Sequence, residues 1–228
     1  MSRLEVNGVE VVSRATGERV AAAPDFVIES GRTTCLLGPS GCGKSLTALA
    51  ILDLLPPELE LSQGRFRLDG QDLDAGQRRA LRGRRIGMLF QEPRQALHPD
   101  FSVGAQLVEV LRTDGRSGAE CRAAATHWLG RVGIKDPVVR ETHRPGQFSG
   151  GELQRIVCAL ALCRGPDFLL ADEPTSNLDV TVQARILGLL RRLQREDELG
   201  LLLVSHDERV VAAMADDLRR FPKIGDRP

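Results

Sequence analysis

The sequence predicts an α/β fold in which helices cover both faces of a mainly parallel sheet. Short apolar runs at 34–37, 86–90, 168–171 and 201–204 have the length and composition of buried strands. Between and after them lie longer segments with helical periodicity, at 46–55, 103–111, 119–132, 152–163, 182–193 and 208–215. Alternating strands and helices, with several strands free of polar residues, are typical of parallel sheets buried on both sides.

The first 28 residues predict a small antiparallel flap that precedes this sheet. Apolar and polar residues alternate over 4–12, with Leu4, Val6, Val9 and Val11 on one side, as in a half-buried strand. A turn at 15–18 separates that strand from a second apolar run at 26–28. The next strand signal is at 64–68, followed by the turn Asp69-Gly70.

The run 34–37 leads into the pattern G-x-x-x-x-G-K-S and then into the helical segment 46–55, which ends at Pro56-Pro57. Strand, glycine-rich turn and helix in this order are the context of a phosphate-binding P-loop. Its residues are Gly38, Pro39, Ser40, Gly41, Cys42, Gly43, Lys44 and Ser45. We expect the three glycines to adopt left-handed conformations, so that backbone N–H groups surround an anion. Lys44 is predicted to reach the β- and γ-phosphates, and Ser45 is predicted to bind Mg²⁺. The alternative interpretation of the motif is a glycine turn that only precedes a core helix.

The middle of the chain predicts an arginine-rich surface and a helical insertion. The segment 78–85 carries five arginines, which we interpret as a solvated helix face and loop. The strand 86–90 ends at Gln91. From about 96 to 164 the pattern is mostly helical, which indicates an insertion between strands rather than a second domain.

Polar residues follow the last two buried strands. Asp172 and Glu173 come directly after 168–171, and His206 follows 201–204. In open α/β sheets ligands bind at the carboxyl ends of the strands. One carboxylate could hold Mg²⁺ and the other could orient or deprotonate a water molecule. The alternatives are a charge pair at a helix N-terminus and a structural histidine.

Ser149, Gly150 and Gly151 precede the apolar helical segment that begins at Glu152. A serine and two glycines at a helix start offer free N–H groups suited to an anion. The alternative role for Ser149 is to cap that helix.

Composition limits the function classes. The 228 residues suffice for one large domain. Lys and Arg number 31 and so do Asp and Glu, which does not suggest nucleic-acid binding. Neither a signal peptide nor an apolar span is evident, so we interpret the chain as cytosolic. The five cysteines lack a C-x-x-C spacing and are expected to be small buried or loop residues; Cys42, in the P-loop, is either reactive or merely small.

Taken in order, these motifs resemble the nucleotide-binding subunit of an ABC transporter over nearly the whole chain. The series is a Walker A loop at 38–45, Gln91, S-G-G at 149–151, a Walker B strand at 168–173, Ser176-Asn177-Leu178-Asp179, and His206. Further segments, including Gln91-Glu92-Pro93 and 148–155, resemble the oligopeptide, dipeptide and nickel importer branch. The resemblance implies a P-loop NTPase fold with one ABC ATPase domain over 1–228, in which about 96–164 is the inserted helical subdomain.

The resemblance also implies a mechanism. Two subunits would pack head to tail with ATP between them. The two can be identical, although in this branch they are usually different chains. Glu173 would be the general base, Asp172 a Mg²⁺ partner and His206 a γ-phosphate contact, while Gln91 would sense Mg²⁺ and the attacking water. Ser149, Gly150 and Gly151 would donate to the γ-phosphate across the interface, and Asp179 would help to join the two sites.

Partners and location follow from the same resemblance. The chain would lie on the cytoplasmic face of the membrane, bound near 91–103 to permease subunits and served by an external substrate-binding protein. The leading function is import of a peptide, nickel or a metal chelate. The alternatives are a non-transport ABC-type ATPase and a P-loop kinase or GTPase. A P-loop kinase or GTPase would not need the S-G-G turn or His206.

Three features depart from the family pattern. Relatives usually stack adenine on an aromatic residue, whereas this chain has no tyrosine and no aromatic residue before Phe26. We expect Arg14 or an aliphatic residue to cover the base. Glu152 stands where many relatives have glutamine, and we expect little effect on function. The closing region is reduced to 218–228, from which we expect partner-dependent activity or a shortened chain.

Overall fold

The computed structural model describes residues 1–176 and 178–221, and they form two five-stranded sheets. The first is antiparallel, with the order β2-β1-β5-β6 and β3 paired to β1. Its strands are β1 Arg3–Ser13, β2 Arg19–Ala22, β3 Phe26–Glu29, β5 Leu59–Leu68 and β6 Gln71–Asp72. This is the predicted flap, with two more strands than the sequence indicated.

The second sheet is parallel and has the order β10-β4-β9-β8-β7. Its strands are β4 Thr33–Leu37, β7 Ile86–Leu89, β8 Phe168–Asp172, β9 Gly200–Ser205 and β10 Asp217–Arg220. Strands β4, β8 and β9 are buried along their whole length, as expected for central strands covered on both faces. The parallel direction brings the carboxyl ends of β4, β7, β8 and β9 to one edge.

Helices join these strands. They are α1 Lys44–Ile51, α2 Ala75–Ala80, α3 Val103–Arg112, α4 Gly118–Arg131, α5 Pro137–Arg140, α6 Gly150–Leu162, α7 Val180–Glu196 and α8 Glu208–Met214, with a 3-10 turn at Pro145–Gln147. Helices α3 to α6 lie between β7 and β8 in the chain. Side-chain caps fix several starts, because Asp74, Ser117 and Ser149 each accept a bond from the third residue of the following helix.

Two hydrophobic clusters lie on opposite faces of the parallel sheet. Leu36, Leu170 and Leu202 belong to the cluster that includes the antiparallel sheet and α1. Leu37, Leu169 and Leu203 belong to the cluster that includes the helices between β7 and β8. Neighbouring residues therefore point to opposite faces, as the period of a strand requires. The sheet connects the flap on one side to the helical layer on the other.

The predicted fold class is confirmed, and three local expectations are wrong. Helix α1 ends at Ile51 rather than near 55, and β5 begins at Leu59 rather than at 64. The segment 78–85 is not uniformly solvated. Arg78 is buried, lies over the Phe66 ring with 4.4 Å to the centroid, and donates to the Ala50 carbonyl. Tertiary contacts thus bury an arginine in a run that looks exposed from its composition.

The cysteines are buried, as predicted, and all five are free thiols. Burial raises the pKa of Cys35, Cys158 and Cys163 to about 12. Such thiols are poor nucleophiles at neutral pH. Within the described ranges, no helix is long and apolar enough to cross a bilayer.

Candidate nucleotide site

The P-loop joins β4 to α1 and packs against the flap. Gly43 precedes α1 and has φ 99°, and Gly41 has φ 80°, so both occupy the left-handed region that favours glycine. An added Cβ at Gly43 would overlap the Cβ of Ala21 and lie 2.9 Å from its Cα. Strand β2 therefore touches the loop directly. Gly38 does not have a positive φ, which corrects our expectation for that residue.

Gly38 is required for a different reason. An added Cβ there would lie 2.9 Å from Cys42 Sγ and 2.9 Å from Phe221 Cβ. Both distances are shorter than side-chain atoms normally tolerate, so space rather than backbone conformation favours glycine. Cys42 is buried at this contact, consistent with its role as a small residue that fits the loop.

Lys44 is buried inside the loop, with only 4% of its surface exposed. Its Nζ donates to the carbonyl oxygens of Gly38, at 2.9 Å, and Pro39, at 2.7 Å. Among the described residues no carboxylate lies within ion-pair distance of it. The charges of Lys44 and Asp172 act on each other without direct contact. A buried ammonium group that contacts no counter-charge is unfavourable, and an anion bound in the loop would relieve this. The arrangement thus fits the phosphates of a nucleotide.

Ser45 and Asp172 meet at the carboxyl end of β8. Ser45 Oγ donates to Asp172 Oδ1 at 2.8 Å. Burial of Asp172 raises the pKa of its carboxyl above the usual value, and Glu173 adds to the increase, whereas the bond from Ser45 opposes it. A buried carboxylate beside a hydroxyl, with carboxylate charge nearby, is a donor set that suits Mg²⁺. These residues therefore fit the metal that the sequence predicts.

Glu173 and His206 form a second pair at the same edge. His206 Nδ1 lies 3.0 Å from Glu173 Oε1. Glu173 follows β8 with φ 45°, a conformation that few non-glycine residues adopt, and its N–H donates to the Val204 carbonyl in β9. This backbone bond fixes Glu173 against β9, which ends one residue before His206. The parallel sheet brings the two residues together although 33 positions separate them in the sequence.

A cavity of about 400 Å³ opens at this edge. Its lining residues are Ser40, Gln91, Glu173, Thr175, Ser176, Leu178, Gln183, Ser205, His206 and Asp207. The structure thus brings together Ser40, Gln91, Glu173 and His206, which the sequence analysis assigned to one site. It adds Thr175 and Gln183, which that analysis did not assign.

The S-G-G turn is separate from this cavity, because none of the described lining residues belongs to it. Ser149 caps α6, and its hydroxyl lies 2.9 Å from Glu152 Oε2. An added Cβ at Gly151 would lie 2.7 Å from Cγ1 of Val182, so α6 and α7 approach closely here. Asp179 caps α7 by accepting bonds of 3.0 Å from Thr181 and Val182. Asn177, from the same predicted motif, lies outside the described residues.

Comparison with known proteins identifies the family. Residues 22–176 match the family model of the ABC transporter. The chain belongs to the ABC transporter family. It is 43% identical over 217 residues to the nickel import ATP-binding protein NikD of Pseudomonas putida, an alignment that covers 95% of the chain and 83% of that protein. These matches confirm the resemblance to the importer branch.

A second relative and a solved structure extend the comparison. The chain is 42% identical over 220 residues to the dipeptide transport ATP-binding protein DppD of Bacillus subtilis, which covers 93% of this chain and 66% of that protein. The chain thus spans just under two thirds of that relative's length. The ATP-binding cassette MJ0796, solved as a dimer in a post-hydrolysis state with ADP and Pi, is 27% identical with a TM-score of 0.79, covering 96% and 94% of the two chains.

The structure also locates the other two departures from the family pattern, at Arg14 and in the closing region. Arg14 is exposed at the end of β1, where its Nε donates to the Leu59 carbonyl and its Nη1 pairs with Glu60 at 2.8 Å. Its predicted role over adenine stays a prediction. Strand β10 pairs with β4 over 217–220, so one closing strand is present. Residues 222–228 lie outside the described part of the chain.

Proposed function

We propose that this ABC transporter chain is the ATP-hydrolysing subunit of an importer for a peptide, nickel or a metal chelate. One observation carries the proposal: Lys44, the Ser45–Asp172 pair and the Glu173–His206 pair converge at the carboxyl edge of the parallel sheet. These are groups for holding phosphates, binding a divalent metal and activating water. The relatives' names favour import over a non-transport ABC-type ATPase.

In the proposed reaction Lys44 and the loop N–H groups hold the β- and γ-phosphates. Ser45, Asp172 and Gln91 would hold Mg²⁺, which when bound would neutralise charge that develops on the phosphate oxygens. Glu173 accepts a proton from the attacking water. His206 uses Nδ1 to contact Glu173, so its Nε2 is the ring nitrogen that can reach the γ-phosphate.

The site is proposed to be completed by a second ABC ATPase subunit. Ser149, Gly150 and Gly151 lie outside the cavity that Glu173 and His206 line, which supports a role for them in the ATP site of the opposing subunit. Asp179, at the start of α7, would help to join the two sites. ATP that contacts both subunits would stabilise the closed pair, because it binds that state better than the open one. Hydrolysis would release this contact and allow opening.

Transport is proposed to require permease subunits in the membrane, with the chain bound peripherally on the cytoplasmic face, and an external protein that delivers the substrate. The test is affinity purification of the tagged chain from detergent-solubilised membranes of its own host. Co-purification of a membrane permease and a second ABC ATPase supports import. Reproducible recovery with a soluble complex that lacks any permease contradicts it.

A further inference from the structure

We infer that Arg140 is a positioning residue of the composite ATP site: its charge offsets that of Glu152, so that the Ser149 hydroxyl can exchange its bond to that carboxylate for one to the γ-phosphate. The inference rests on the proposed function, in which Ser149 faces ATP held by the opposing subunit. It assigns a role to a residue outside all the motifs that identify the site.

The contacts form a chain from Arg140 to Ser149. Arg140 ends α5, and its Nη2 pairs with Glu152 Oε1 at 3.2 Å. The other carboxylate oxygen, Glu152 Oε2, lies 2.9 Å from both the backbone nitrogen and the Oγ of Ser149. Arg140 also lies over the Phe148 ring, with 4.3 Å to its centroid, which fixes the guanidinium beside the turn.

These contacts are partly shielded from water. The side chains of Arg140 and Glu152 are 25% and 24% exposed, and Phe148 is buried. Burial acts to raise the pKa of Glu152, but the bonds from Ser149 and the charges of Arg140 and Arg155 outweigh it, so the pKa lies below the ordinary value. Glu152 is therefore a carboxylate at neutral pH.

A carboxylate at this position opposes γ-phosphate binding in two ways. It is a strong acceptor for the Ser149 hydroxyl proton, which Ser149 must donate to the γ-phosphate instead. Its negative charge also repels the phosphate, and the repulsion grows as the closing interface excludes water. Glutamine at 152 would accept the same bonds without the charge. Because this chain has glutamate, the Arg140 guanidinium supplies the compensating charge.

The test is a double-mutant cycle in the Glu173→Gln background, which removes the base so that ATP persists. The variants are Arg140→Met, which keeps the side-chain length over Phe148, Glu152→Gln, which keeps the helix cap, and their combination. Arg140→Lys restores the charge. Arg195→Met is the matched control, because Arg195 is exposed in the last turn of α7, at the opposite end of that helix from Asp179. The readout is the Mg·ATP concentration at which half of the subunits associate in analytical ultracentrifugation. It is measured for this chain alone and for this chain mixed with the co-purified ATPase.

We expect Arg140→Met to raise that concentration about tenfold, the size of one charge-assisted hydrogen bond. Arg140→Lys should recover most of the loss, and Glu152→Gln should make Arg140→Met nearly silent. A loss that is equal with glutamate or glutamine at 152 means that Arg140 only packs on Phe148 and overturns the inference. Unchanged melting temperatures verify that the variants fold. If no variant associates with ATP under either condition, the composite site itself is wrong, and the proposed function fails together with the inference.

Discussion

The contact between the flap and the P-loop gives a prediction about Gly43, with Gly41 as its matched control. Both residues have positive φ, at 99° and 80°, so alanine at either position is strained by about 1–2 kcal/mol. Only at Gly43 does the new Cβ meet protein, because nothing lies within 4 Å of a Cβ at Gly41. Overpacking of this kind costs a further 1–3 kcal/mol or so.

We therefore expect Gly43→Ala to lower the free energy of unfolding by about 1–3 kcal/mol more than Gly41→Ala. The assay is urea denaturation without nucleotide, with the slope checked for constancy between variants. Because Ala21 Cβ is the nearest atom to the new methyl group, Ala21→Gly should cost less in the Gly43→Ala background than in the wild type. Equal losses for the two glycine variants, or additive effects of Ala21→Gly, would refute the direct contact.

Three further predictions concern buried charges. Lys44→Met should leave the nucleotide-free protein as stable or more stable, because it removes a buried ammonium group that has no ion-pair partner among the described residues. It should abolish the stabilisation by Mg·ATP, which for the wild type would be about 2.7 kcal/mol at a hundredfold excess over Kd and is followed as a rise in melting temperature. Burial raises the pKa of Asp172, so the folded state retains a proton that the unfolded state releases, and stability falls as pH rises from the ordinary value of 3.8 toward the raised one. Asp172→Asn should remove this fall, so the free energy of unfolding of the variant, measured without Mg²⁺, should increase relative to that of the wild type between acid and neutral pH. A difference between the two proteins that does not change with pH would contradict the assignment. Arg78→Ala should lower the free energy of unfolding by about 2–4 kcal/mol, because a buried, hydrogen-bonded side chain is lost. Arg79 is exposed, so Arg79→Ala should lower the free energy of unfolding by less than about 1 kcal/mol. Similar losses for the two variants would contradict this reasoning.

The fold and the main site were predictable because the evidence for them is local in the sequence. Asp172 follows one apolar strand directly and His206 follows another after Ser205, which places both residues at one edge of a parallel sheet. The P-loop motif includes its own flanking strand and helix. The cavity that contains Gln91, Glu173 and His206 agrees with that expectation.

Features that depend on distant contacts were not predictable. The motif does not show that Gly38 is needed for space beside Phe221 whereas Gly43 is needed for its backbone and for Ala21. Composition suggested that Arg78 was solvated, because nothing near it in the sequence reveals the Phe66 ring. The Arg140–Glu152 pair joins residues from two helices, and no residue pattern indicated it.

The assignment of Glu173 as the general base is the central claim, and ATP turnover tests it most directly. Turnover is measured for the chain with its co-purified ATPase and permease, as wild type and as Glu173→Gln. We predict that the variant loses about 10²–10⁴-fold in turnover while its Mg·ATP affinity, measured by equilibrium binding, is retained. Turnover that is unchanged by Glu173→Gln would contradict the assignment and move the catalytic base to another residue or to the partner subunit.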